Sequence, residues 1–314
     1  MNDKKIAVLG GGTGMSVLLR GLKKLPFDIS AIVSVCDDGS STGRLREEFN
    51  IPAVGDIRKV LVSLSNDSKA VDNLFNYRFD TSSDLDGHAL GNLLLIGASD
   101  IAGNMSEGIE LLNTLLHLNG KVLPLTEDNV TLVGIMEDGN IVEGEHHITE
   151  DKRKIKGLKY KEEPKVNPDV LKAIRESDAI ILSMGSLFTS IMPNLICEEV
   201  QKEIENSKAK IIYVCNIMTQ PGETDNFNVS DHVKLLNNYL GKRKVDTVVV
   251  NTGDISQEII EKYATTEQKD LVKADYENLK DLKVIKDNFV LIEDGTIRHN
   301  ALKVAIDIFS YLMQ

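Results

Sequence analysis

A chain of 314 residues that is 42% hydrophobic can bury the core of one large α/β domain, which excludes disorder along its length. Its 48 acidic residues outnumber 36 Lys and Arg, a net charge of -12, which argues against nucleic acid as a partner because duplex affinity rests on basic side chains that neutralise phosphates. No apolar run approaches the roughly 20 residues that span a bilayer, and Met1-Asn2-Asp3-Lys4-Lys5 enters a strand rather than a signal segment, so a cytoplasmic protein without membrane insertion is expected.

The first element is the short apolar run 6–9, which ends in Gly10-Gly11-Gly12-Thr13-Gly14 and continues as a helical pattern from Met15. A second apolar run, 29–35, ends at Cys36-Asp37-Asp38-Gly39-Ser40-Ser41-Thr42-Gly43-Arg44, so the two runs and the helix between them predict a βαβ unit with parallel strands. Apolar residues then recur at helical spacing over a block of about 56–118. Glu137-Asp138-Gly139, between the runs 130–136 and 140–144, predicts a hairpin inside an antiparallel insert of about 121–160. The charged stretch 151–165 reads as solvated loop and short strand. Asn167-Pro168-Asp169 opens a helix, and three further parallel-type strands, 179–184, 210–215 and 247–250, each end in polar loop residues. A last hairpin over 289–297 leads through Arg298-His299-Asn300 into a terminal helix. The expected architecture is a single domain over 1–314, a Rossmann-like parallel sheet with helices on both faces plus the helical block and the hairpin insert.

Open parallel sheets bind ligands beyond the carboxyl ends of their strands, so these loops are the places to look for chemistry. Gly10 to Gly14 is the strongest, because consecutive glycines let a phosphate approach backbone N–H groups at a helix start. It is neither a clean dinucleotide fingerprint, since Met15 or Val17 falls at the third glycine position, nor a P-loop. Asp37 and Asp38 stand where a dinucleotide site places its ribose acid, and they could instead hold Mg²⁺ on a diphosphate; Ser40, Arg44 and their neighbours offer a second anion cradle. Gly185-Ser186 and Thr189-Ser190, with Asn194 one turn later, form a third polar loop, although helix capping explains any of these residues taken singly. His88, like Asp37 and Asp38, is a weak candidate for acid or base catalysis. His146 and His147 fall on alternating faces of a predicted strand, which argues against a shared metal ion, and Cys36, Cys197 and Cys215 make no metal or redox spacing and read as buried thiols.

Taken together, these glycine, Asp-Asp and Gly185-Ser186 strings, with Gly55-Asp56-Ile57-Arg58, Gly87-His88-Ala89-Leu90-Gly91-Asn92-Leu93 and Cys215-Asn216-Ile217-Met218-Thr219-Gln220-Pro221-Gly222-Glu223-Thr224, resemble the YvcK family of bacterial gluconeogenesis factors over essentially the whole chain. That family is related to CofD, which transfers a 2-phospholactate group from a guanosine diphosphate derivative to a deazaflavin. The resemblance implies a UDP-sugar ligand such as UDP-N-acetylglucosamine, and a role in cell shape and envelope balance during gluconeogenic growth. It places Gly11, Gly12, Thr13 and Gly14 beside the ligand and Asp37 and Asp38 at a ribose or metal. Gly185, Ser186 and Asn194 fall near the diphosphate and base, Arg298 closes over the anion, and Ser40, Arg44, Asn92 and Asn216 complete the set. A regulatory binder acting through an envelope-related protein partner, with a homodimer as the default assembly, is the favoured expectation. A CofD-like transferase is the alternative, mildly disfavoured by a chain with no Trp and 5% aromatics.

Overall fold

The computed structural model describes residues 3–66 and 68–314. β1 (Lys4–Gly10), α1 (Gly12–Leu22) and β2 (Phe27–Val33) form the opening βαβ unit, with Ile6 opposite Ile29 in parallel register. A helical block follows: α2 (Ser40–Phe49), α3 (Val54–Leu64), α4 (Ser68–Asn76), α5 (Leu90–Ala102) and α6 (Met105–Leu116). Then come β3 (Lys121–Pro124), β4 (Leu132–Met136), β5 (Ile141–Glu143), α7 (Glu145–Glu150), β6 (Ile155–Tyr160) and α8 (Pro168–Glu176). The α8 start is as read from sequence: Asn167 accepts a hydrogen bond from Asp169 N, and Pro168 occupies a first-turn position where its missing N–H costs nothing.

The second half alternates β7 (Ala179–Leu182), a π-helical turn (Leu187–Ile191), α9 (Met192–Leu195), α10 (Glu198–Asn206), β8 (Lys210–Val214), α11 (Val229–Asn237), β9 (Thr247–Asn251) and α12 (Gln257–Thr266). It ends with β10 (Lys283–Asp287), the hairpin β11 (Val290–Glu293) and β12 (Thr296–His299), and α13 (Ala301–Leu312).

Seven parallel strands lie in the order β10-β9-β8-β7-β1-β2-β3. From β1 the chain winds outward through β2 and β3, then crosses back to β7 and winds the other way, so the strand order reverses between β1 and β7. Right-handed crossovers consequently put α1 on one face and α10 and α11 on the other. The central strands are covered on both sides and are apolar throughout: Ile180, Ile181 and Leu182 of β7 and Ile6, Ala7, Val8 and Leu9 of β1 are buried. Leu18, Leu19 and Leu22 of α1 are fully buried, each contributing about 1.5–3 kcal/mol.

The sequence reading needs three corrections. β3, assigned to the antiparallel insert, pairs in parallel with β2 as the edge of the main sheet, so the insert proper is the three-stranded sheet β5-β4-β6 with α7. His146 and His147 lie on α7 rather than on a strand, so strand alternation has no bearing on them; His146 pairs with Glu150 at 3.4 Å and the His147 ring meets the Glu143 carbonyl at 3.1 Å. The charged stretch is less solvated than its composition suggests, because Ile155, Leu158 and Tyr160 of β6 are buried, and the Tyr160 hydroxyl donates to the Pro193 carbonyl at 2.9 Å. No helix among the described residues is long and apolar enough to cross a membrane.

Candidate binding site at the strand-order reversal

β1 delivers the chain to Gly11 and Gly12 at the carboxyl edge of the sheet. Gly12 has φ +64, a left-handed conformation that a side chain rarely adopts, and it turns the backbone directly into α1. No side chain caps α1, which leaves its first-turn N–H groups available to a ligand. Gly14 serves packing instead: a Cβ there would lie 2.2 Å from the Met184 carbonyl oxygen, so only glycine lets α1 sit this close to the end of β7.

A cleft of about 240 Å³ opens over this turn. One wall carries hydroxyls, those of Ser34, Ser186, Thr189 and Ser190; another carries the carboxylates of Asp37, Asp56 and Glu145. Asp56, in the first turn of α3, leans against the glycine turn, where a Cβ on Gly11 would meet its Oδ2 at 2.9 Å. Burial raises its carboxyl above the usual carboxylate value, and Lys59, 2.9 Å away, partly offsets that. Burial likewise raises Glu145, against a hydrogen bond from Thr189 that lowers it and the charges of Asp37 and Asp56 that raise it further. Beneath the cleft Glu223 is buried, and its carboxyl is pushed up to about 7 by burial despite accepting from Ser186 Oγ at 2.9 and 2.7 Å and from Phe188 N at 3.3 Å. This row of acids repels a bare diphosphate, while the α1 N-terminus and Lys59 attract one; a divalent cation held by the acids would reconcile the two tendencies. Among the described residues no three His, Cys, Asp or Glu side chains converge as a metal site, so an ion here would be held by one or two carboxylates, Asp37 or Asp56, oxygen donors that suit Mg²⁺ brought in with a diphosphate.

A larger cavity of about 370 Å³ lies at the other end of the sheet, where Lys5 of β1, Asp28 of β2 and Lys121 of β3 face Glu176 of α8. It sits at the amino ends of the strands, away from the glycine turn into α1, and the smaller cleft is the better site.

The profile of the family described as 2-phospho-L-lactate transferase CofD matches residues 6–290. The gluconeogenesis factor of Bacillus subtilis (strain 168) is 46% identical over 304 residues, 96% of each chain. That of Halalkalibacterium halodurans is 45% identical over 308 residues, 97% of this chain and 95% of its own. The chain belongs to the CofD family. A solved UPF0052-family protein of Bacillus halodurans superposes with a TM-score of 0.93 at 44% identity, covering 98% of this chain and 99% of that one. Within the CofD family, then, the relatives are the gluconeogenesis factors, as the sequence motifs indicated.

In this CofD-family protein the expected site residues separate into several distinct places. Gly11 and Gly12 form the turn, exposed Thr13 and the packing residue Gly14 follow it, and Asp37, Gly185 and Ser186 stand around it. Asn194 and Asn216 brace the turn: Asn194 Nδ2 donates to the carbonyls of Ser190 at 3.0 Å and Gly10 at 3.3 Å, and Asn216 grips Gly185. Asp38 turns away and caps α7, accepting from Glu145 N at 3.2 Å and His146 N at 2.8 Å. Arg44 and His88 gather beside α2, where the His88 ring meets Ser41 Oγ at 2.8 Å and exposed Ser40 opens the helix at φ +44, while Asn92 is buried in the first turn of α5. Arg298 stands exposed on β12, its Nε 4.0 Å from Glu293, because the alternate residue His299 faces inward and bonds the Cys215 carbonyl at 3.0 Å. The sequence reading missed Asp56, Lys59, Glu145 and Glu223 as site residues. Asp56 and Glu223 lay within motif strings already singled out, but nothing in the spacing of Glu145 pointed to the cleft.

Proposed function

We propose that the chain is a cytoplasmic binder of a nucleoside-diphosphate sugar, UDP-N-acetylglucosamine, that regulates envelope metabolism and cell shape under gluconeogenic growth through a protein partner. The observation that carries the ligand class is the uncapped start of α1, its glycine turn opening onto the cleft at the strand-order reversal. A diphosphate seated there would lead past Gly185 toward the end of β8, and Asp37 or Asp56 would hold a Mg²⁺ that neutralises it. A second pocket of about 180 Å³ lies there, walled by Ile217, Val229 and Val250 with Thr252 at its rim, a size and polarity suited to a flat base. The β11–β12 hairpin bearing Arg298 flanks the same strand end through the contact of His299 with Cys215. The regulatory role is drawn from the gluconeogenesis factors, which this chain matches across 96% of its length.

Calorimetric titration with UDP-N-acetylglucosamine, NAD, GDP and free N-acetylglucosamine tests the ligand class. Selective binding of the UDP-sugar, weakened in Ser186→Ala and Arg298→Ala, is expected; no binding, or a preference for GDP, would overturn it.

The match to the phospholactate transferase description favours one second reading. An acceptor hydroxyl would form a bond to the donor's phosphorus while the bond from that phosphorus to the departing nucleotide's oxygen breaks, and the hydroxyl proton would pass to a cleft carboxylate such as Glu145. Product formed from a nucleoside-diphosphate donor and abolished in Asp37→Asn, with donor affinity kept, would establish it over the regulatory reading.

A further inference from the structure

Away from the cleft, three arginines from three segments converge on the start of α5. Arg44 of α2 donates through Nη2 to the Asp86 carbonyl at 2.7 Å. Arg78, in the loop after α4, donates through Nη1 to the next carbonyl, that of Gly87, at 2.6 Å. Arg58 of α3 donates to the Phe75 carbonyl at 3.2 Å and to Asn76 Oδ1. The segments 77–79 and 87–90 are laced together by Phe79 N to His88 O at 3.1 Å and Leu90 N to Tyr77 O at 2.8 Å, which fixes Arg78 beside the helix start. Ser41, in the first turn of α2, joins the cluster through His88.

Among the described residues, none of these guanidinium groups has a carboxylate within 4.0 Å, although the chain carries 12 more acids than bases. Asp86 is close enough to help, but its carboxylate accepts from Thr81 N at 3.1 Å instead, and Glu48 acts on His88 only at longer range. The charges feel one another: burial first and then Arg44 lower His88, against Glu48 and Asp86, and burial first and then Arg78 lower Arg58, against the more distant Asp56, Asp72 and Asp37. Arg58 is also 4% exposed with a buried Nε that has no acceptor, an expense that a closed structural network avoids. Like charges held together, anchored by backbone carbonyls with their remaining N–H groups unspent, are arranged to receive an oxyanion.

We propose that Arg44, Arg78 and Arg58, with Ser41 and His88 behind them, form a binding site for the phosphate group of a second ligand, a phosphate monoester. The site is separate from the nucleotide cleft. Between the two the start of α3 packs tightly at Gly55, where a Cβ would lie 3.0 Å from Asp37 Oδ2 on the cleft side and 2.6 Å from Thr42 Oγ1 of α2. The site does not depend on which nucleotide the cleft takes, and a phosphorylated metabolite held there lies one helix away from it, placed as an acceptor or an effector.

The test is a titration of the full chain at low salt with inorganic phosphate, followed by ³¹P NMR and calorimetry, with succinate as the carboxylate counterpart. Wild type should bind phosphate saturably. Arg78→Gln should weaken this at least tenfold while its thermal melt and its titration with UDP-N-acetylglucosamine match wild type, and Arg78→Lys should recover part of the loss. Unsaturable binding, or binding unchanged in Arg78→Gln, overturns the site. A phosphate signal lost in Lys59→Gln but kept in Arg78→Gln places the anion in the cleft instead, and tighter binding of succinate than of phosphate refutes the phosphate assignment.

Discussion

Asn216 holds both backbone polar groups of Gly185: its Oδ1 accepts from Gly185 N at 2.9 Å and its Nδ2 donates to Gly185 O at 2.7 Å. Gly185 has φ +145, open to glycine and little else, so the clasp fixes a backbone that would otherwise wander. The pair ties the end of β8 to the loop that presents Ser186 to the cleft.

Asn216→Ala should therefore act on stability and ligand binding together. Two partly buried groups lose their partners, a cost of about 1–3 kcal/mol each where water cannot replace them. Chemical denaturation and the UDP-sugar titration measure the two effects. A variant as stable as wild type with undiminished affinity would show that the clasp is idle.

Two glycines make opposite predictions. Gly14→Ala drives a Cβ to 2.2 Å from the Met184 carbonyl oxygen, backbone against backbone, and should destabilise by about 1–3 kcal/mol or more. Gly97, inside α5, has no atom within 4 Å of its Cβ position, so Gly97→Ala should stabilise by about 0.5–1 kcal/mol. A urea midpoint raised by Gly14→Ala would contradict the close packing of α1 against the end of β7, and one lowered by Gly97→Ala would contradict the open space over α5.

Glu223 and His299 give stability a pH signature. The Glu223 carboxyl titrates near 7 in the folded chain against 4.5 when exposed, so the native state holds the extra proton between those values and stability falls as pH rises through that window. His299, held by burial down to about 4 against 6.5, works the other way: the unfolded state takes up the proton first, and stability falls as pH drops from 6.5 toward 4. Glu223→Gln removes the first effect alone. Its stability relative to wild type should rise from pH 5 to pH 8; a difference that is flat with pH would mean that Glu223 titrates as an exposed acid.

The three thiols should be inert in the native protein. All are free and buried, and burial raises Cys36 to about 11, Cys215 to about 12 and Cys197 further still. Alkylation with iodoacetamide at pH 8, read by mass spectrometry, should label none of them without denaturant and all three with it. Rapid labelling of Cys36 in the native chain would reopen a chemical role beside Asp37.

Asp38 predicts a local effect. It caps α7 across 107 residues of chain, and Asp38→Ala should strip hydrogen-exchange protection from α7 while α1 keeps its own. Loss spread evenly over the sheet would instead make Asp38 part of the global core.

The parallel-sheet architecture was legible because β1, β7, β8 and β9 are short unbroken apolar runs that end in Gly, Asn or Ser, a pattern that two-sided burial dictates. β3 was not, since Lys121-Val122-Leu123-Pro124 is four residues long and reads as the start of the hairpin that follows. α7 was hidden for a different reason. Its cap comes from Asp38, distant in sequence, and its entry residue Gly144 at φ +94 looks like the end of a strand. The glycine turn of the site was plain from local spacing alone. Asp56, Glu145 and Glu223 belong to three separate segments, and only the closed fold brings their carboxylates within each other's field.

The small sheet β5-β4-β6 forms its ladder without any strand of the seven-stranded sheet, yet through α7 it supplies Glu145 and Thr149 to the cleft. One side of the pocket is thus written in the main fold and the other in a cassette. Substitutions at Glu145 and Thr149 would therefore change what the cleft accepts while leaving the glycine turn after β1 in place, whereas the buried Ile148, Ile155 and Tyr160 tie the cassette to the same core as the main sheet.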